Sequence, residues 1–220
     1  MIRLASGSPR RRELLSLLKV PFEVVAADID ERSAPRPALA KARAVARPGT
    51  LTLAADTLIE IDGERIGKPA DAADAVSTLQ RLAGRSHVVR TEVAFIAPSG
   101  RALHFGVRST VAMKPADDAA IRAYVATGEP LDRAGAYAIQ GGAAERIAWY
   151  DGCYSNIVGL PLCHVFFGLR KLGLGVPERP EPAFTRAFGF ECPAWSIACS
   201  QGRRLRDGSE YATQRGEQRR

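Results

Sequence analysis

Strand-type and helix-type segments alternate along the first four-fifths of the chain, and this alternation constrains the fold more than any other feature. Apolar runs typical of buried strands lie at 2–5, 22–27 and 51–55, with two longer strands at 87–97 and 101–113. Helical patterns begin at Ser8-Pro9 and occupy 38–46, 71–82, 117–126 and 163–172, while 131–162 is rich in loop residues. This alternation predicts an α/β fold with a mixed sheet.

The chain carries a net charge of +7, from 31 Lys and Arg residues against 24 Asp and Glu residues. Basic and acidic residues alternate without long blocks of one sign, and no aromatic residues interleave with the arginines, which favours a small anionic partner over a nucleic acid. No apolar run approaches the roughly 18 residues of a membrane span. The N-terminus lacks the order of a signal peptide. We therefore expect a cytoplasmic protein that binds neither nucleic acid nor membrane.

The densest basic cluster lies where a strand-type segment runs into a helix, in ASGSPRRRELL (5–15). Ser8 is a residue type that caps helix N-termini, and Pro9 suits the first helical position. Because the helix dipole disfavours arginine there, the three arginines that follow indicate an anionic ligand whose charge offsets the repulsion. Free backbone N–H groups and guanidinium groups both bind phosphate. The alternative is an exposed basic turn, and the P-loop pattern is absent.

Two acidic positions follow strand-type segments. Asp56 comes directly after the run 51–55, and Asp28-Ile29-Asp30-Glu31 follows the run 22–27. Ligands of open α/β sheets bind beyond such strand ends. One or two carboxylates combined with substrate phosphates are the usual ligands of Mg²⁺ in proteins. The two positions together predict a metal and phosphate site, and the alternative for Asp56 is a cap of the next turn.

Two further positions offer groups that bind a phosphate or a base. Lys68 lies between Gly67 and Pro69, after a predicted hairpin closed by Asp62-Gly63, and this rigid turn can present its ammonium group to a phosphate. Gln140 precedes two glycines, so its side-chain amide lies on a flexible loop suited to reading a base edge or a phosphate. The alternative for Gln140 is a simple glycine turn. The three histidines have no spaced metal partner and are expected to be structural.

The chain resembles the Maf family of nucleoside triphosphate pyrophosphatases over residues 1–174. The matching segments, in order, are LASGSPRRRELL (4–15), DIDE (28–31), LAADTLI (53–59), GKP (67–69), LAGRSHVV (82–89), YVATGEPLDRAGAYAIQGGAAERI (124–147) and GCYSNIVGLPL (152–162). The resemblance implies an elongated, two-lobed α/β fold of the Maf/ITPase type with a central cleft. It also implies hydrolysis of a nucleoside triphosphate to the monophosphate and pyrophosphate, assisted by Mg²⁺ or Mn²⁺. The loop GAYAIQG is similar to that of the branch acting on dTTP and UTP.

The same resemblance implies roles for individual residues. Asp56 would accept the proton of the attacking water, directly or as a metal ligand. Glu31 would be a second acidic group in the cleft and a second candidate metal ligand. The residues implied to hold the triphosphate are Ser6, Arg10, Arg11 and Lys68. Those at positions tied to substrate choice are Arg10, Thr57 and Gln140.

Two departures from the family pattern leave alternatives open. The stretch between Glu31 and Asp56 is shorter than in the family, and the chain continues to residue 220. Four prolines by residue 193 and a polar end predict a disordered or weakly ordered extension over 175–220, beyond a catalytic domain at 1–174. The alternative functions are hydrolysis of another nucleotide, such as 7-methyl-GTP, and a non-enzymatic role in cell division. A homodimer is expected from the family alone.

Overall fold

One mixed sheet organises the part of the chain that the computed structural model describes, residues 1–31 and 33–192. Its strands are β1 (Ile2–Leu4), β2 (Phe22–Val24), β3 (Leu51–Ile61), β4 (Glu64–Ile66), β5 (Ser86–Ile96), β6 (Ala102–Met113) and β7 (Ile147–Asp151). The helices are α1 (Pro9–Ser16), α2 (Pro37–Ala44), α3 (Ala72–Leu82), α4 (Asp118–Ala126), α5 (Tyr154–Val158), α6 (Leu162–Lys171) and α7 (Pro180–Phe188). Within these ranges no helix combines the length and apolar character that crossing a membrane requires.

The strand order of the sheet is β2-β1-β3-β5-β6-β7, with β4 paired to the far end of β3. β1 lies parallel to both β2 and β3, and the remaining pairs are antiparallel. Parallel neighbours need a crossover connection, and α1 and α2 lie in the two connections of this part. The predicted α/β fold with a mixed sheet is confirmed.

The middle of β3 lacks a neighbouring strand along one edge. Pairing with β1 ends at Leu53, and pairing with β4 begins only at Ile59. Among the described residues, 54–58 therefore pair with β5 alone. Their other edge carries backbone N–H and C=O groups that the sheet leaves unpaired, and we call residues 54–58 the open edge.

The long strands carry two apolar cores in succession on one face of the sheet. Because side chains alternate along a strand, Leu53 and Ala55 of β3 enter the first core, while Ile59 and Ile61 enter the second. Helices α1, α5, α6 and α7 close the first core, and α3 and α4 close the second. Helix α2 covers the opposite face with small side chains. Two cores on one continuous sheet agree with the expected two-lobed arrangement.

The prediction that the strand starting at Leu51 stops at Asp56 is wrong. β3 continues to Ile61 because β5 pairs with it from Thr52 to Glu60, and this ladder carries the strand through its polar residues. The loop-rich interpretation of 131–162 also misses β7 and α5. The predicted turn at Asp62-Gly63 is confirmed, since both residues have positive φ, 53° and 77°.

Helix α7 corrects part of the prediction that the extension is disordered or weakly ordered. Pro180 suits its first turn, and Gly189 ends it in the left-handed conformation that glycine favours. Phe184 is only 3% exposed and belongs to the first core, with Phe188 packed against the same core one turn later. The helix was not predicted because the prolines of this stretch favour disorder. The rest of the predicted extension, 193–220, lies outside the described residues.

The buried residue His87 makes the free energy of unfolding depend on pH. His87 Nε2 lies 2.6 Å from the Tyr137 hydroxyl, and burial lowers the pKa of His87 from 6.5 to about 4. The unfolded chain therefore takes up this proton near pH 6.5, whereas the folded chain takes it up only near pH 4. Its contribution to stability is complete above about pH 6.5 and is lost as the pH falls towards 4.

We expect the free energy of unfolding to fall between pH 6.5 and 4, and to fall less steeply in His87→Phe. The difference in slope should reach about 1.4 kcal/mol per pH unit, the value for one proton. Burial also lowers the pKa of His164 to about 4, so the variant should keep part of the slope. Urea denaturation at several pH values measures both slopes. Identical slopes in the two proteins would contradict the expectation.

Candidate active site

Asp56 and Thr57 occupy the open edge and lie on opposite faces of the sheet, because successive strand residues alternate. Asp56 faces the side covered by α2, where Lys41 contacts it. Thr57 faces the side of α1 and α5, where Arg11 contacts it. The open edge therefore has an acidic group on one side and an arginine on the other.

Lys41 joins the two acidic residues that the sequence singled out. Its ammonium lies 2.7 Å from Asp56 Oδ1 and 2.8 Å from Glu31 Oε2, so one cation bridges both carboxylates. The Lys41 side chain is 7% exposed, and α2 places it at the edge of a core of small apolar residues. A lysine that is almost fully buried needs such partners. Sequence reasoning missed Lys41; the available signal was a lysine within the apolar pattern of ALAKARAVA.

Arg11 is held on the other side of the open edge by three polar groups. It donates to the Gly159 carbonyl at 2.9 Å, to Thr57 Oγ1 at 3.0 Å and to Ser6 Oγ at 3.3 Å. Burial lowers the pKa of Arg11, while the nearby carboxylates of Asp56, Glu31 and Asp132 act to raise it. An arginine stays protonated even so. Arg11 is thus a fixed positive charge within the field of these three acidic residues.

Asp132 gathers the other two predicted phosphate-binding cations. Lys68 forms an ion pair with its carboxylate, and Arg10 donates to its carbonyl at 3.4 Å. The Lys68 and Asp132 side chains are 63% and 74% exposed, so this pair is weak and readily exchanged for another anion. Sequence reasoning missed Asp132 as a site residue, although it lies within the matching segment 124–147.

Gly135 holds the Lys68 turn against the segment that contains Asp132. Its N–H donates to the Gly67 carbonyl at 2.9 Å. It adopts φ +70°, and a Cβ atom there would lie 2.0 Å from the Ile59 side chain. Only glycine fits this position. The AGAYAIQG motif therefore has a local steric reason as well as a place at the site.

The N-terminus of α1 has free donors, as the sequence predicted, but Ser8 does not cap it with its side chain. The Ser8 N–H instead donates to Ser6 Oγ at 3.3 Å. The N–H groups of Arg10 and Arg11 lack intrahelical acceptors because they lie in the first turn of the helix. This turn also contains no acidic residue. These N–H groups and the positive end of the helix dipole favour an anion.

A buried polar chain runs from Arg11 into the strands between the two cores. Thr57 Oγ1 lies 2.9 Å from Thr91 Oγ1, which donates to the Asn156 carbonyl at 3.0 Å. The Asn156 amide donates to the Val89 carbonyl at 3.1 Å and to Ser109 Oγ at 2.9 Å. Asn156 is fully buried on α5. We call these five residues the polar chain: Arg11, Thr57, Thr91, Asn156 and Ser109.

Glu92 is a further buried acidic residue beside Asp56 that sequence reasoning missed. It lies directly opposite Asp56 in the β3–β5 ladder and is 9% exposed. Arg90 Nη2 contacts Glu92 Oε1 at 3.2 Å, whereas Oε2 is buried without a hydrogen-bond partner among the described residues. Like charges directly opposite each other destabilise a sheet, so this pair favours a cation nearby.

Gln140 lies near Tyr154, the first residue of α5. Burial raises the pKa of Tyr154, and the Gln140 side chain acts to lower it. The structure thus brings the predicted site residues together in three groups. These groups are Ser6, Arg11 and Thr57; Glu31 and Asp56; and Arg10 and Lys68. In the described part of the chain no hydrogen bond joins the Gln140 side chain to these groups, while its neighbour Ile139 belongs to the first core.

The model of the family described as Maf-like protein matches residues 1–172. The chain belongs to the Maf family. The dTTP/UTP pyrophosphatase of Geotalea uraniireducens (strain Rf4) is 47% identical over 184 residues, which cover 78% of this chain and 95% of that protein. The dTTP/UTP pyrophosphatase of Symbiobacterium thermophilum is 47% identical over 197 residues, covering 84% and 97%. The solved Staphylococcus aureus Ham1 protein has 15% identity and a TM-score of 0.44, covering 66% of this chain and 79% of that one.

The extent of the Maf match separates the site from the extension. All the residues of the open edge and the polar chain lie within 1–172, whereas α7 begins at Pro180. The candidate site therefore lies within the residues that match the Maf family. Helix α7 lies beyond them and packs onto the first core.

We expect Asn156→Ala to lower the free energy of unfolding by about 2–4 kcal/mol, because it removes the two buried hydrogen bonds of the Asn156 amide and opens a cavity. Chemical denaturation measures the loss. The exposed Arg122→Ala is the control and should leave stability unchanged, since its ion pair with Asp118 lies on the surface. A loss below about 1 kcal/mol in Asn156→Ala would show that the polar chain contributes little.

Proposed function

We propose that this Maf protein hydrolyses nucleoside triphosphates, with dTTP and UTP as its best substrates, to the monophosphate and pyrophosphate. The observation that carries the proposal is the arrangement at the open edge: Asp56 paired with Lys41 on one side, and Arg11 held on the other. The names of the similar proteins support the reaction and the pyrimidine substrates. The arginines and the free N–H groups at the start of α1 support an anionic ligand, as the sequence pattern of 5–15 did.

The triphosphate would bind to the free donors of the α1 N-terminus together with Arg10 and Lys68. Both side chains already contact Asp132, and the exposed Lys68 pair exchanges easily for a phosphate. Arg11 lies within the field of the same carboxylate and adds a fixed positive charge. Cations in fixed positions stabilise the charge that develops on phosphate oxygens during the reaction.

Asp56 is the proposed general base. It takes a proton from water as the water oxygen bonds to the α-phosphorus. The bond from the α-phosphorus to the bridging oxygen breaks, and pyrophosphate leaves with that electron pair. Lys41 engages Asp56 Oδ1, which leaves Oδ2 outside this ion pair. A positioned general base contributes about 10²- to 10⁴-fold to such a rate.

The carboxylates near Asp56 fit a divalent cation. Among the described residues no three His, Cys, Asp or Glu side chains are arranged to hold a metal by themselves. Mg²⁺ needs only one or two carboxylates when substrate phosphates supply the rest. Asp56 and Glu31 would hold it, and the buried, unpartnered oxygen of Glu92 favours positive charge beside Asp56. The cation would neutralise phosphate charge and lower the pKa of a bound water.

Asp56→Asn and Lys68→Ala should each lower turnover of dTTP more than tenfold while the fold is kept, the first by removing the base and the second by removing a phosphate-binding charge. Pyrophosphate release measures turnover, and circular dichroism checks the fold. Asp118→Asn, which changes an exposed carboxylate on α4, is the matched control and should retain full activity. Full activity in either site variant would remove that residue from the mechanism.

The same assay tests the proposed function on a panel of canonical nucleotides, modified nucleotides and 7-methyl-GTP, with Mg²⁺ or Mn²⁺. We expect the highest kcat/KM for dTTP and UTP. A preference for 7-methyl-GTP would replace the pyrimidine assignment and keep the reaction. Release from none of them would overturn the enzymatic function and favour the non-enzymatic role in cell division.

Mn²⁺ binding tests the proposed metal ligands without relying on activity. Electron paramagnetic resonance of free Mn²⁺, in the presence of a non-hydrolysable triphosphate, should show weaker binding in Asp56→Asn. Glu92→Gln should weaken it by about tenfold, the lower end of the range for groups that support a metal site. Glu64→Gln on β4, an exposed carboxylate, is the control. Equal Mn²⁺ affinity in all four proteins would remove these carboxylates from the metal site.

A location in the cytoplasm, a homodimer and the lack of nucleic-acid binding stay predictions from the sequence. The link to cell division has the same standing.

A further inference from the structure

The hydrogen bonds of the polar chain run in one direction, from Arg11 at the open edge to α5. A hydroxyl has a single proton to donate, and the Thr91 hydroxyl donates it to the Asn156 carbonyl at 3.0 Å. At the 2.9 Å contact between the two threonines, Thr57 is therefore the donor and Thr91 the acceptor. The Thr57 oxygen is then left to accept from Arg11 Nη2 at 3.0 Å. Each bond of the chain thus determines the direction of the next.

This direction depends on the Thr91 oxygen. Among the described residues, the Thr57 proton has one other acceptor within reach, the Gly159 carbonyl at 3.5 Å. Arg11 Nε already donates to that carbonyl at 2.9 Å. Without the Thr91 oxygen, the Thr57 hydroxyl would turn to Gly159 and compete with Arg11 for it. The guanidinium would then lose its fixed orientation, although its charge would stay at the site.

Arg11 keeps two N–H groups for a ligand when it is held in this way. A guanidinium has five N–H groups, and single ones on Nε, Nη1 and Nη2 bind Gly159, Ser6 and Thr57. The described residues provide no further acceptor, so one N–H group remains on each terminal nitrogen. Two N–H groups of one planar guanidinium bind phosphate oxygens with a defined geometry. The orientation of Arg11 therefore determines where a phosphoryl group is held.

Helix α5 is fixed to the long strands at the far end of the polar chain. The Asn156 amide donates to the Val89 carbonyl on β5 and to Ser109 Oγ on β6. Ser109 Oγ in turn donates to the Cys153 carbonyl at 3.1 Å, just before the helix. These bonds hold α5 at both strands. Gly159, the residue after the helix, consequently presents its carbonyl to the site from a fixed position.

We propose that Thr91 is a positioning residue for the hydrolytic reaction: through Thr57 it holds Arg11 in the orientation in which its two remaining N–H groups bind a phosphoryl group of the substrate. The proposal rests on the function proposed above. Thr91 is fully buried behind Thr57, so it acts through Arg11 and does not touch the substrate. The transition state gains most, because the charge that develops on phosphoryl oxygens meets donors already in place.

Thr91→Val is the sharpest test, because it keeps the shape of the side chain and removes the hydroxyl. We expect kcat for dTTP to fall about three- to tenfold, the effect of one hydrogen bond. KM should stay within about twofold, since the charge of Arg11 remains at the site. Thr91→Ser keeps the hydroxyl and should restore most of kcat.

Thr52→Val is the matched control. Thr52 is also a fully buried strand threonine, but its hydroxyl has no hydrogen-bond partner among the described residues. This variant should keep the kcat of the wild type. An unchanged kcat in Thr91→Val, or an equal loss in Thr52→Val, would overturn the role of Thr91.

A double-mutant cycle tests whether Thr91 acts through Arg11. Arg11→Lys keeps a positive charge but lacks the planar fork of N–H groups. In this background Thr91→Val should have no further effect on kcat. Effects that add in the double variant would show that Thr91 acts on the rate by another route, and would overturn positioning through Arg11.

Nitrogen-15 NMR of the arginine side chains tests the positioning without any turnover. A guanidinium held by several hydrogen bonds rotates slowly and gives separate signals for its Nη protons, and Arg11→Lys identifies the Arg11 signals by their loss. We expect separate signals in the wild type and in Thr52→Val, and averaged signals in Thr91→Val.

The two readouts separate the possible failures. A lower melting temperature in Thr91→Val with unchanged Arg11 signals would show that the hydroxyl only stabilises the fold, and would overturn the proposal. A wild-type protein without pyrophosphate release would instead overturn the proposed function. The NMR comparison would still decide whether Thr91 positions Arg11.

Discussion

The polar chain is the interaction on which the rest of the structure depends. Between two apolar cores, Thr91 of β5 and Asn156 of α5 are fully buried, so the Thr91 hydroxyl and the Asn156 amide N–H groups need partners within the protein. These partners exist only when α5 docks in one register on the sheet. The same docking brings the Gly159 carbonyl to Arg11. A requirement of folding thereby sets the position of a charged group of the site.

The open edge of β3 then divides the chemistry of the site between two faces. The two-residue period of a strand places Asp56 beside Lys41 on one face and Thr57 beside Arg11 on the other. Asp56 and Thr57 are therefore neighbours in sequence, while the proposed base and Arg11 lie on opposite faces and do not pair directly with each other. Pairing of β3 with β1 ends before Asp56, and pairing with β4 begins after it. A substrate can therefore approach the open edge.

Helix α7 changes how the boundary of the catalytic domain is understood. The Maf match ends at residue 172, yet Phe184 is only 3% exposed and belongs to the first core. A chain that stopped at the match would uncover the Tyr154 ring, which packs on Phe184, Phe188 and Phe190. The extension is thus continuous with the domain in packing.

The sequence by itself determined the α/β class, the start of α1 at Pro9 and the turn at Asp62-Gly63, and it singled out most of the charged residues of the proposed site. Each of these depends on local periodicity, on a preset φ or on residue type. Only the tertiary structure decided that β3 runs through Asp56, that Lys41 bridges two carboxylates and that α7 is ordered. The physical reason is distance along the chain: Thr57 meets Thr91 across 34 positions and Arg11 meets Gly159 across 148. No local sequence pattern identifies such partners. Buried polar groups and aromatic rings reach their positions only when the distant segments pack together.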